Sequence, residues 1–331
     1  MIAPATLGSQ GLRVAVVTIA ILAACAPLVG KAQSYPHKPV RLIVPFGPGG
    51  PGDAIGRMLS KKLNESLGQP VVVDNRSGAT TIIGTQIAAE SPPDGYTLLL
   101  ISTTHAVNPG LFKKLPYDPI KDFAPVTLVT STPFMLVIHP SVAANSVSEL
   151  VALARSKPGQ LNYGSSGNGS SIHLTTELLK TAAKIDMTHV PYKGSGPAFI
   201  DLIGGQVQLL FSSTLSSLPH VKSGKVRGLA ITSLKRAPSL PTIPTIAESY
   251  PGFESSSWFG ILAPAMTPKP VIERLLADTR AALKSPEVNQ ALVSQGAEPG
   301  GSSPAEFAAY FQSEIKKWGR VIESAAIKFD P

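Results

Sequence analysis

The sequence predicts an α/β protein made of two similar sets of strands and helices. Apolar, β-branched runs alternate along the chain with segments whose apolar residues recur at helical spacing. Continuous apolar strands separated by helices indicate a parallel sheet that is covered on both faces. Two longer apolar segments, 123–139 and 253–263, break the alternation and are predicted to cross from one set to the other. The 331 residues suffice for two domains of ordinary size.

The first set opens with a strand, a loop rich in glycine and a helix. The apolar run 40–46 predicts a buried strand, and the helical pattern that follows predicts a helix over 53–67. The first N–H groups of a helix lack internal partners, and the helix dipole is positive at that end. The loop therefore offers backbone donors to a phosphate or a carboxylate at Gly49, Gly50 and Gly52.

The remaining elements continue the alternation. In the first set, strands are predicted at 71–74 and 96–102, with a short helix between them that ends at Ala89. In the second set, helices are predicted at 146–156, 172–183 and 197–203, and strands at 161–165, 189–192, 207–211 and 226–232. Near the C-terminus, Ser303 and Glu306 form a capping box ahead of an apolar stripe that is predicted to pack in the core.

Residues 1–32 are predicted to be a signal peptide that exports the protein. Arg13 is the only charge ahead of an apolar span, 14–29, which is short for a bilayer and ends in small residues. Cleavage after Ala32 fits these residues, and so does lipidation of Cys25, the single cysteine. Lipid anchoring through Cys25 therefore stays open.

The net charge favours small anions as partners. The formal charge is +8 and the isoelectric point is about 9.5, but the lysines and arginines are scattered and form no run longer than a pair. Nucleic-acid binding would require a concentrated basic patch, so we predict no nucleic-acid partner. Steering of small anions explains the charge more simply.

A dinucleotide site is one alternative interpretation of the glycine loop. Residues 47–52 satisfy G-x-G-x-x-G between a predicted strand and a predicted helix, and Asp74 ends the next strand, where a ribose-binding acid is expected. Against this interpretation, Pro48 and Pro51 stand in the turn whose amides should face the pyrophosphate. Export also directs the chain away from soluble nicotinamide pools. A dinucleotide-dependent oxidoreductase remains an alternative.

A second loop, 164–171, carries hydroxyl groups ahead of the next helix. It falls short of the nucleophile-elbow motif G-x-S-x-G because Asn168 stands where glycine is required. An exported hydrolase would need a base near Ser165 or Ser166, for which His173 is the only candidate nearby in sequence. Otherwise the loop either caps its own helix or forms a second anion site.

Polar residues also follow two further strands, at 102–105 and 212–214. In open α/β sheets ligands bind at the carboxyl ends of strands. Four polar strand ends therefore suggest a cleft that holds an anion through hydrogen bonds. The six histidines show no metal-ligand spacing, and no paired carboxylates accompany these segments. The sequence thus predicts no metal, no cofactor and no catalysis.

Longer motifs run through almost the whole chain, from Tyr35 to about Lys328. They are, in order, YPHKPVRLIVPFGPGGPGD (35–53), LGQPVVVDNRSGA (67–79), PDGYTLLL (93–100), LPYDPIKDFAPV (115–126), LNYGSSGNGSSIHL (161–174), HVPYKGSGPA (189–198), LPTIPTIAE (240–248) and WFGILAPAMTP (258–268). In this combination the sequence resembles the Bug/TctC family, the periplasmic solute receptors of tripartite tricarboxylate transporters.

The resemblance implies a periplasmic-binding-protein (Venus-flytrap) fold, in which two α/β domains are joined by two crossover strands. Domain 1 would comprise 35–132 and 253–331, and domain 2 would comprise 133–252. Such a receptor is a monomer without enzymatic activity that closes on a small organic carboxylate. It delivers the carboxylate to the membrane permease of a tripartite tricarboxylate transporter. A ligand sensor for a signalling partner remains a further alternative.

The resemblance also implies which residues bind the ligand. They are Phe46, Gly49, Gly50 and Asp53 in the first loop, Ser165, Ser166 and Ser170 in the second, and Ser102, Thr103, Tyr192 and Ser212 at other walls of the cleft. Many relatives have alanine in place of Pro48 and an acidic residue in place of Ser212. Without that carboxylate the cleft lacks a partner for an ammonium group, so we expect mono-, di- or tricarboxylates rather than amino acids.

Overall fold

The computed structural model describes Met1 and residues 35–192, 194–237, 240–294 and 296–327. Residues 2–32 of the predicted signal peptide, with Arg13 and Cys25, lie outside these ranges. Residues Lys38–Pro331 form one compact unit. In the part of the chain that is described, no helix combines the length and the apolar character needed to cross a bilayer.

The secondary structure alternates along this unit. The strands are β1 (Val40–Val44), β2 (Val71–Asn75), β3 (Thr97–Ser102), β4 (Phe123–Ile138), β5 (Asn162–Ser165), β6 (Thr188–Pro191), β7 (Leu209–Ser213), β8 (Arg227–Ile231), β9 (Ser256–Pro264) and β10 (Glu298–Pro299). The helices are α1 (Pro51–Leu67), α2 (Ile82–Ala89), α3 (Thr103–Leu111), α4 (Val147–Ser156), α5 (Ser171–Ala183), α6 (Ser195–Ile203), α7 (Thr214–Lys222), α8 (Lys269–Lys284), α9 (Pro286–Ser294) and α10 (Pro304–Ser324).

The strands form a mixed sheet with the order β2-β1-β3-β9-β4-β7-β5-β6. Strand β1 pairs in parallel with β2 and β3, and β5 pairs in parallel with β6 and β7. Between these two groups, β9 pairs antiparallel with β3 and β4, and β4 pairs antiparallel with β7. The predicted α/β alternation is confirmed, but the sheet is not parallel throughout because the two crossing strands run against their neighbours.

Strand β4 passes from one parallel group to the other. Its first part, from Phe123 to Pro133, pairs with β9, whereas Phe134 to Ile138 pair with β7 and β8. Pro133 lies within the strand at this change of partners. The predicted division into domains at 132/133 and 252/253 stays a prediction.

The apolar stripe near the C-terminus packs in the core, as predicted. Phe307, Phe311 and Trp318 of α10 are at most 3% exposed and form a cluster with Trp258 of β9. The indole N–H groups of Trp258 and Trp318 both donate to one carboxylate oxygen of the buried Glu314, at 2.9 and 3.0 Å. The capping box that opens this helix is also present.

Some element boundaries differ from the prediction. Helix α1 begins at Pro51, with Gly50 as N-cap, so Asp53 lies in the first turn rather than at the helix start. Proline suits the first helical position because its missing N–H would be unpaired there anyway. Helices α3 and α7 were not predicted, because each is short and contains a proline, Pro109 and Pro219. Both begin directly after a strand, so their first residues coincide with the polar strand ends at 102–105 and 212–214.

Candidate functional site

A cavity of about 210 Å³ opens where helices α3 and α5 begin. Its lining contains no charged residue and consists of Thr80, Thr103, Thr104, Val107, Leu111, Asn168, Gly169, Ser170 and Ser171. Two larger cavities, of about 540 and 690 Å³, have none of the predicted site residues in their lining. The cavity beside α3 and α5, which we call the hydroxyl cavity, is therefore the candidate site.

Three helix N-termini converge on the hydroxyl cavity. Thr103 and Thr104 are the first residues of α3, Ser170 is the N-cap of α5, and Thr80 lies just ahead of α2. Each helix N-terminus carries a partial positive charge and backbone N–H groups without intrahelical partners. Because the lining adds no negative side chain, the electrostatics of the cavity favour an anion.

The turn ahead of α2 has an unusual backbone. Ala79, Thr80 and Thr81 have φ angles of 44, 51 and 75°, in the left-handed region that side-chain-bearing residues rarely adopt. The side-chain amide of Asn108, which is completely buried, donates to the carbonyl of Thr80 at 2.9 Å. This bond helps hold the strained turn at the cavity wall. The sequence carries no local signal for this conformation, because Ala79, Thr80 and Thr81 include neither glycine nor asparagine.

The first residues of α3 support the cavity wall from inside. The Ser102 hydroxyl accepts the N–H of Thr104 at 3.2 Å and so caps the helix. The Thr103 hydroxyl donates to the carbonyl of Ser256 and accepts the N–H of Trp258, both at 3.2 Å. Thr103 therefore fixes α3 to β9 as well as lining the cavity. The half-buried Thr104 hydroxyl has no hydrogen-bond partner among the described residues.

His105 does not face the cleft, although sequence analysis placed it with the polar strand end 102–105. Its ring is 1% exposed and lies parallel to Tyr117 at 5.6 Å and edge-on to Phe123 at 5.5 Å, with Phe311 on another side at 5.3 Å. Burial lowers the pKa of this imidazole to about 4. His105 is thus a neutral core residue at neutral pH.

The 165–170 loop joins β5 to α5. Ser165 is completely buried, and its hydroxyl bonds both to the backbone of Gly167 at 3.1 Å and to Nε2 of His189 at 2.6 Å. Ser170 accepts the N–H of His173 at 3.3 Å and so caps α5. Ser170 lines the hydroxyl cavity, whereas Ser165 and the half-buried Ser166 do not.

The partner of Ser165 is His189, which lies 24 residues away in the sequence and is therefore not found among the bases close to Ser165. Strands β5 and β6 pair in parallel with Tyr163 opposite His189, which brings the imidazole to the Ser165 hydroxyl. A serine that is 0% exposed cannot meet a substrate from solvent. This serine–histidine pair is therefore built for structure and does not form a hydrolase site.

Asp53 organises the first loop. Its carboxylate is 5% exposed and accepts the N–H of Gly49 at 2.9 Å, Arg57 Nε at 3.0 Å and Asn75 Nδ2 at 3.0 Å. The bonds from Arg57 and Gly49 are the main cause of its pKa, which is lowered to about 2. Sequence analysis treated the Gly49 N–H as a free donor for a ligand, but Asp53 already occupies it. Gly49 itself has φ +82°, a conformation that favours glycine.

The other first-loop residues lie beside this carboxylate. The Phe46 ring packs edge-on against Phe259 at 6.0 Å and so closely over Gly52 that an added Cβ would lie 2.5 Å from it. Gly50 is the N-cap of α1. Neither Phe46 nor Gly50 lines the hydroxyl cavity.

The last two predicted site residues also lie outside the cavity lining. The Tyr192 hydroxyl donates to Asp201 of α6 at 2.7 Å, and desolvation together with this carboxylate raises the pKa of the phenol to about 12. Ser212 is 3% exposed within β7, opposite Met135 of β4. Of the predicted residues, the structure brings Thr103 and Ser170 together at one cavity.

Geometry also weakens the cofactor alternatives. Asp74, the expected ribose ligand of a dinucleotide site, is bound by Arg41 Nε at 2.7 Å and by Arg76 Nε at 2.9 Å. The buried Asp53 carboxylate in the glycine loop would repel a pyrophosphate. Within the described residues, no three His, Cys, Asp or Glu side chains are grouped so that they could hold a metal ion.

Comparisons with known proteins give matches over most of the chain. The family model described as tripartite tricarboxylate transporter family receptor (TctC) matches residues 55–327. BugT of Bordetella pertussis is 41% identical over 315 residues, which cover 94% of this chain and 95% of that protein.

Solved structures with the same fold include proteins with bound carboxylates. A protein of R. palustris with adipate is 40% identical, has a TM-score of 0.74, and is matched over 89% of this chain and 99% of that one. MatC of Rhodopseudomonas palustris, with bound malate, is 34% identical and has a TM-score of 0.70 over 87% of this chain and 100% of that one. These relatives are solute-binding proteins, so the chain is a binding protein with a periplasmic-binding-protein fold and is not an enzyme. The resemblance seen in the motifs is confirmed: the chain belongs to the TctC family of tripartite tricarboxylate transporter receptors.

Proposed function

We propose that this protein is a periplasmic receptor that captures a small organic carboxylate between its two α/β halves and delivers it to a tripartite tricarboxylate-type permease. The observation that carries the proposal is the hydroxyl cavity, where three helix N-termini meet and no lining residue is charged. A carboxylate in this cavity would be stabilised by helix dipoles, backbone N–H groups and the hydroxyls of Thr103, Thr104 and Ser170. Each such hydrogen bond to a charged oxygen contributes about 1.5–3 kcal/mol.

The chemistry of the cavity favours carboxylates without an amino group. An amino acid would place its ammonium in a cavity that offers no carboxylate to pair with it, which costs free energy. The adipate and malate bound by the two solved relatives have carboxylates and no ammonium group. Val107 and Leu111 of α3 add an apolar part to the lining, against which an aliphatic or aromatic body would pack.

Export and transport complete the proposal. The signal-peptide pattern of residues 1–32 and the family relationship support a periplasmic location. The family is named for the transporter, which supports a membrane permease as the partner and disfavours a separate role as a sensor. We propose that the receptor acts as a monomer. Loss of carboxylate uptake when the chromosomal gene is deleted would distinguish transport from sensing.

A thermal-shift panel tests the ligand class. The chain from residue 33 would be melted with adipate, malate, benzoate, citrate, glutamate and NAD. A ligand present at 100 times its dissociation constant adds about 2.7 kcal/mol to the free energy of unfolding, enough to raise the melting temperature measurably. We expect one or more of the carboxylates without an amino group to stabilise the protein. Stabilisation by glutamate or NAD alone would overturn the proposal.

A further inference from the structure

We propose that His173 and His189 are positioning residues that hold the 165–170 loop in its ligand-binding geometry, and that this hold is released when His173 takes up a proton. This proposal rests on the proposed carboxylate site, because the loop supplies Ser170 and Gly169 to the hydroxyl cavity. It predicts that acid weakens ligand binding through two residues that do not themselves line the cavity.

The two imidazoles form a stack beneath the loop. Their ring centroids are 3.9 Å apart and their planes differ by 6°, and Tyr163 continues the stack with its centroid 4.9 Å from His189. Each imidazole is bonded to the loop. His189 Nε2 lies 2.6 Å from the Ser165 hydroxyl, and His173 Nδ1 accepts the N–H of Gly169 at 3.1 Å. The stack therefore supports the loop at both of its ends.

The bond to Gly169 requires a neutral His173. An imidazole nitrogen accepts a hydrogen bond only when it carries no proton, so the proton of neutral His173 must lie on Nε2. Protonation of Nδ1 would place an N–H donor opposite the N–H of Gly169, and the two donors would repel each other. The Gly169 backbone, which lines the cavity, would then have to move.

Protonation of His189 acts differently, because its bond to Ser165 survives in either charge state. A charge on each of two stacked rings at 3.9 Å would bring like charges face to face in a half-buried setting. The pair therefore accepts at most one proton readily, and a proton on His173 breaks the bond to Gly169. This exclusion couples the protonation of His189, which bonds to the Ser165 end of the loop, to the protonation of His173, which bonds to Gly169.

Burial is the main reason that the pair is neutral at neutral pH, and the neighbouring charged groups modify its effect. On α5, Glu177 Oε1 lies 4.0 Å from His173 Nε2 and is bound by Lys180 Nζ at 2.9 Å and by the Tyr163 hydroxyl. Burial, assisted by Lys180, lowers the pKa of His173 to about 4. Burial and the charge of His173 lower the pKa of His189 to about 4, against the opposing effect of Glu177.

Among the described residues, the charged groups on the other elements packed against the stack have hydrogen-bond or ion-pair partners of their own. Strand β7 contributes the apolar Leu209 and Phe211 to the same core cluster as α5. Helix α10, which packs on α5, carries Glu314 and Lys317, but these two pair with each other. Asp201 of α6, which packs on β5, accepts the Tyr192 hydroxyl. The acid response should therefore belong to the two histidines.

The test compares binding of adipate between pH 7 and pH 4 in the wild type and in the double variant His173→Asn/His189→Gln. Asparagine and glutamine offer an acceptor near the positions of Nδ1 and Nε2 but cannot take up a proton in this range. The double variant should therefore keep the loop in its ligand-binding geometry between pH 7 and pH 4. Adipate itself gains protons in acid, and the double variant corrects for that contribution. His139→Asn is the matched control, since His139 Nδ1 also accepts a backbone N–H, that of Ser141 at 3.2 Å, away from the loop.

With the pKa of His173 lowered to about 4, about half of the wild type carries a proton on His173 at pH 4. The wild type should therefore bind adipate about twofold more weakly at pH 4 relative to the double variant, while His139→Asn follows the wild type. Circular dichroism would establish that each protein remains folded at the pH used. Equal pH profiles of wild type and double variant would overturn the proposal, as would tighter binding of the wild type in acid.

A ligand-free measurement separates this proposal from the carboxylate site. Long-range ¹H–¹⁵N spectra of the chain from residue 33 report which imidazole nitrogen carries the proton. We expect His173 to carry it on Nε2 at pH 7, and the Gly169 amide resonance to titrate together with His173. A proton on Nδ1, or a Gly169 resonance that does not change, would overturn the inference even if adipate binds. If the titration is seen but adipate fails to bind, the choice of ligand is wrong and the positioning role stands.

Discussion

Ser170 serves both helix α5 and the hydroxyl cavity, so its replacement must be compared with a helix cap outside the cavity. Ser146 is such a control, because its hydroxyl accepts the N–H of Glu149 at 3.1 Å and caps α4. Ser170→Ala and Ser146→Ala should each lower the free energy of unfolding by about 1 kcal/mol, the usual cost of an N-cap. Only Ser170→Ala should also weaken carboxylate binding, by about tenfold, because it removes a hydroxyl that bonds a charged oxygen.

Calorimetric titration with the best ligand from the thermal-shift panel would measure the two dissociation constants. If both variants bind as tightly as the wild type, the Ser170 hydroxyl does not touch the ligand and the carboxylate lies elsewhere in the cleft. If both variants lose affinity equally, the effect of Ser170→Ala reflects general destabilisation.

Gly50 tests whether the first loop also belongs to the site. Its φ of −83° is open to any residue, and an added Cβ would lie 3.7 Å from its nearest neighbour, the carbonyl oxygen of Gly47. Gly50→Asp and Gly50→Asn should therefore both fold, since each residue is a good N-cap. Gly50→Asp adds a negative charge near Asp53 and should abolish carboxylate binding, whereas the neutral Gly50→Asn should reduce it only moderately. Equal affinities of the two variants in the same titration would place the first loop away from the bound anion.

At the scale of elements, the periodicity of apolar residues predicted most of the strands and helices, because buried faces impose that periodicity. The periodicity did not predict helices α3 and α7, because Pro109 and Pro219 interrupt these short segments. The cavity was harder to predict than the elements. Its Thr80 wall depends on a strained backbone held by Asn108, 28 residues away, and the Ser165–His189 pair depends on the register of β5 and β6. Contacts of this kind arise from pairing between distant segments, and one sequence carries no local signal for them.

The contact between α10 and the crossing strand β9 also makes a prediction at this scale. A Cβ at Gly260 would lie 2.1 Å from the Phe307 ring, so Gly260→Ala should force the helix from the strand and lower the free energy of unfolding by about 1–3 kcal/mol. Gly319→Ala in α10 is the matched control. A Cβ at that position has open space, so the better helix propensity of alanine should raise stability by up to about 1 kcal/mol. Urea unfolding would show both changes, and a Gly260→Ala variant as stable as the wild type would contradict this packing.

At the scale of the whole molecule, the two crossing strands connect the parallel groups that support the cavity. The group β2-β1-β3 carries α2 and α3, and the group β7-β5-β6 carries α5, so opposite walls of the cavity belong to different groups. A ligand that bonds to both walls would therefore favour an arrangement in which they are close. This is the physical basis for the proposed closure, and it explains why a receptor of this kind needs hydrogen-bonding groups on both groups of strands.

Three histidines with lowered pKa values should make the stability of the whole protein depend on pH. His105, His173 and His189 each have a pKa near 4 in the folded protein, against about 6.5 when exposed. Between pH 6.5 and pH 4 the unfolded chain therefore binds more protons than the folded chain, and the free energy of unfolding must fall as the pH falls. The fully buried His105 alone should contribute a loss of about 3 kcal/mol across this range.

Carboxylates add a second pH range, at lower pH, in which the free energy of unfolding falls. The pKa values of Asp53, Glu248 and Glu287 are lowered to about 2 by their hydrogen-bonded partners. Their stabilising effect is complete above their unfolded pKa values near 4 and is lost as the pH falls towards 2.

Thermal melts of the ligand-free chain should thus show a melting temperature that declines from about pH 6.5, well before these carboxylates titrate. The double variant His173→Asn/His189→Gln should decline less over pH 6.5–4, because, of these three histidines, only His105 remains. A melting temperature that stays constant down to pH 4.5 would show that these histidines are not buried as neutral groups.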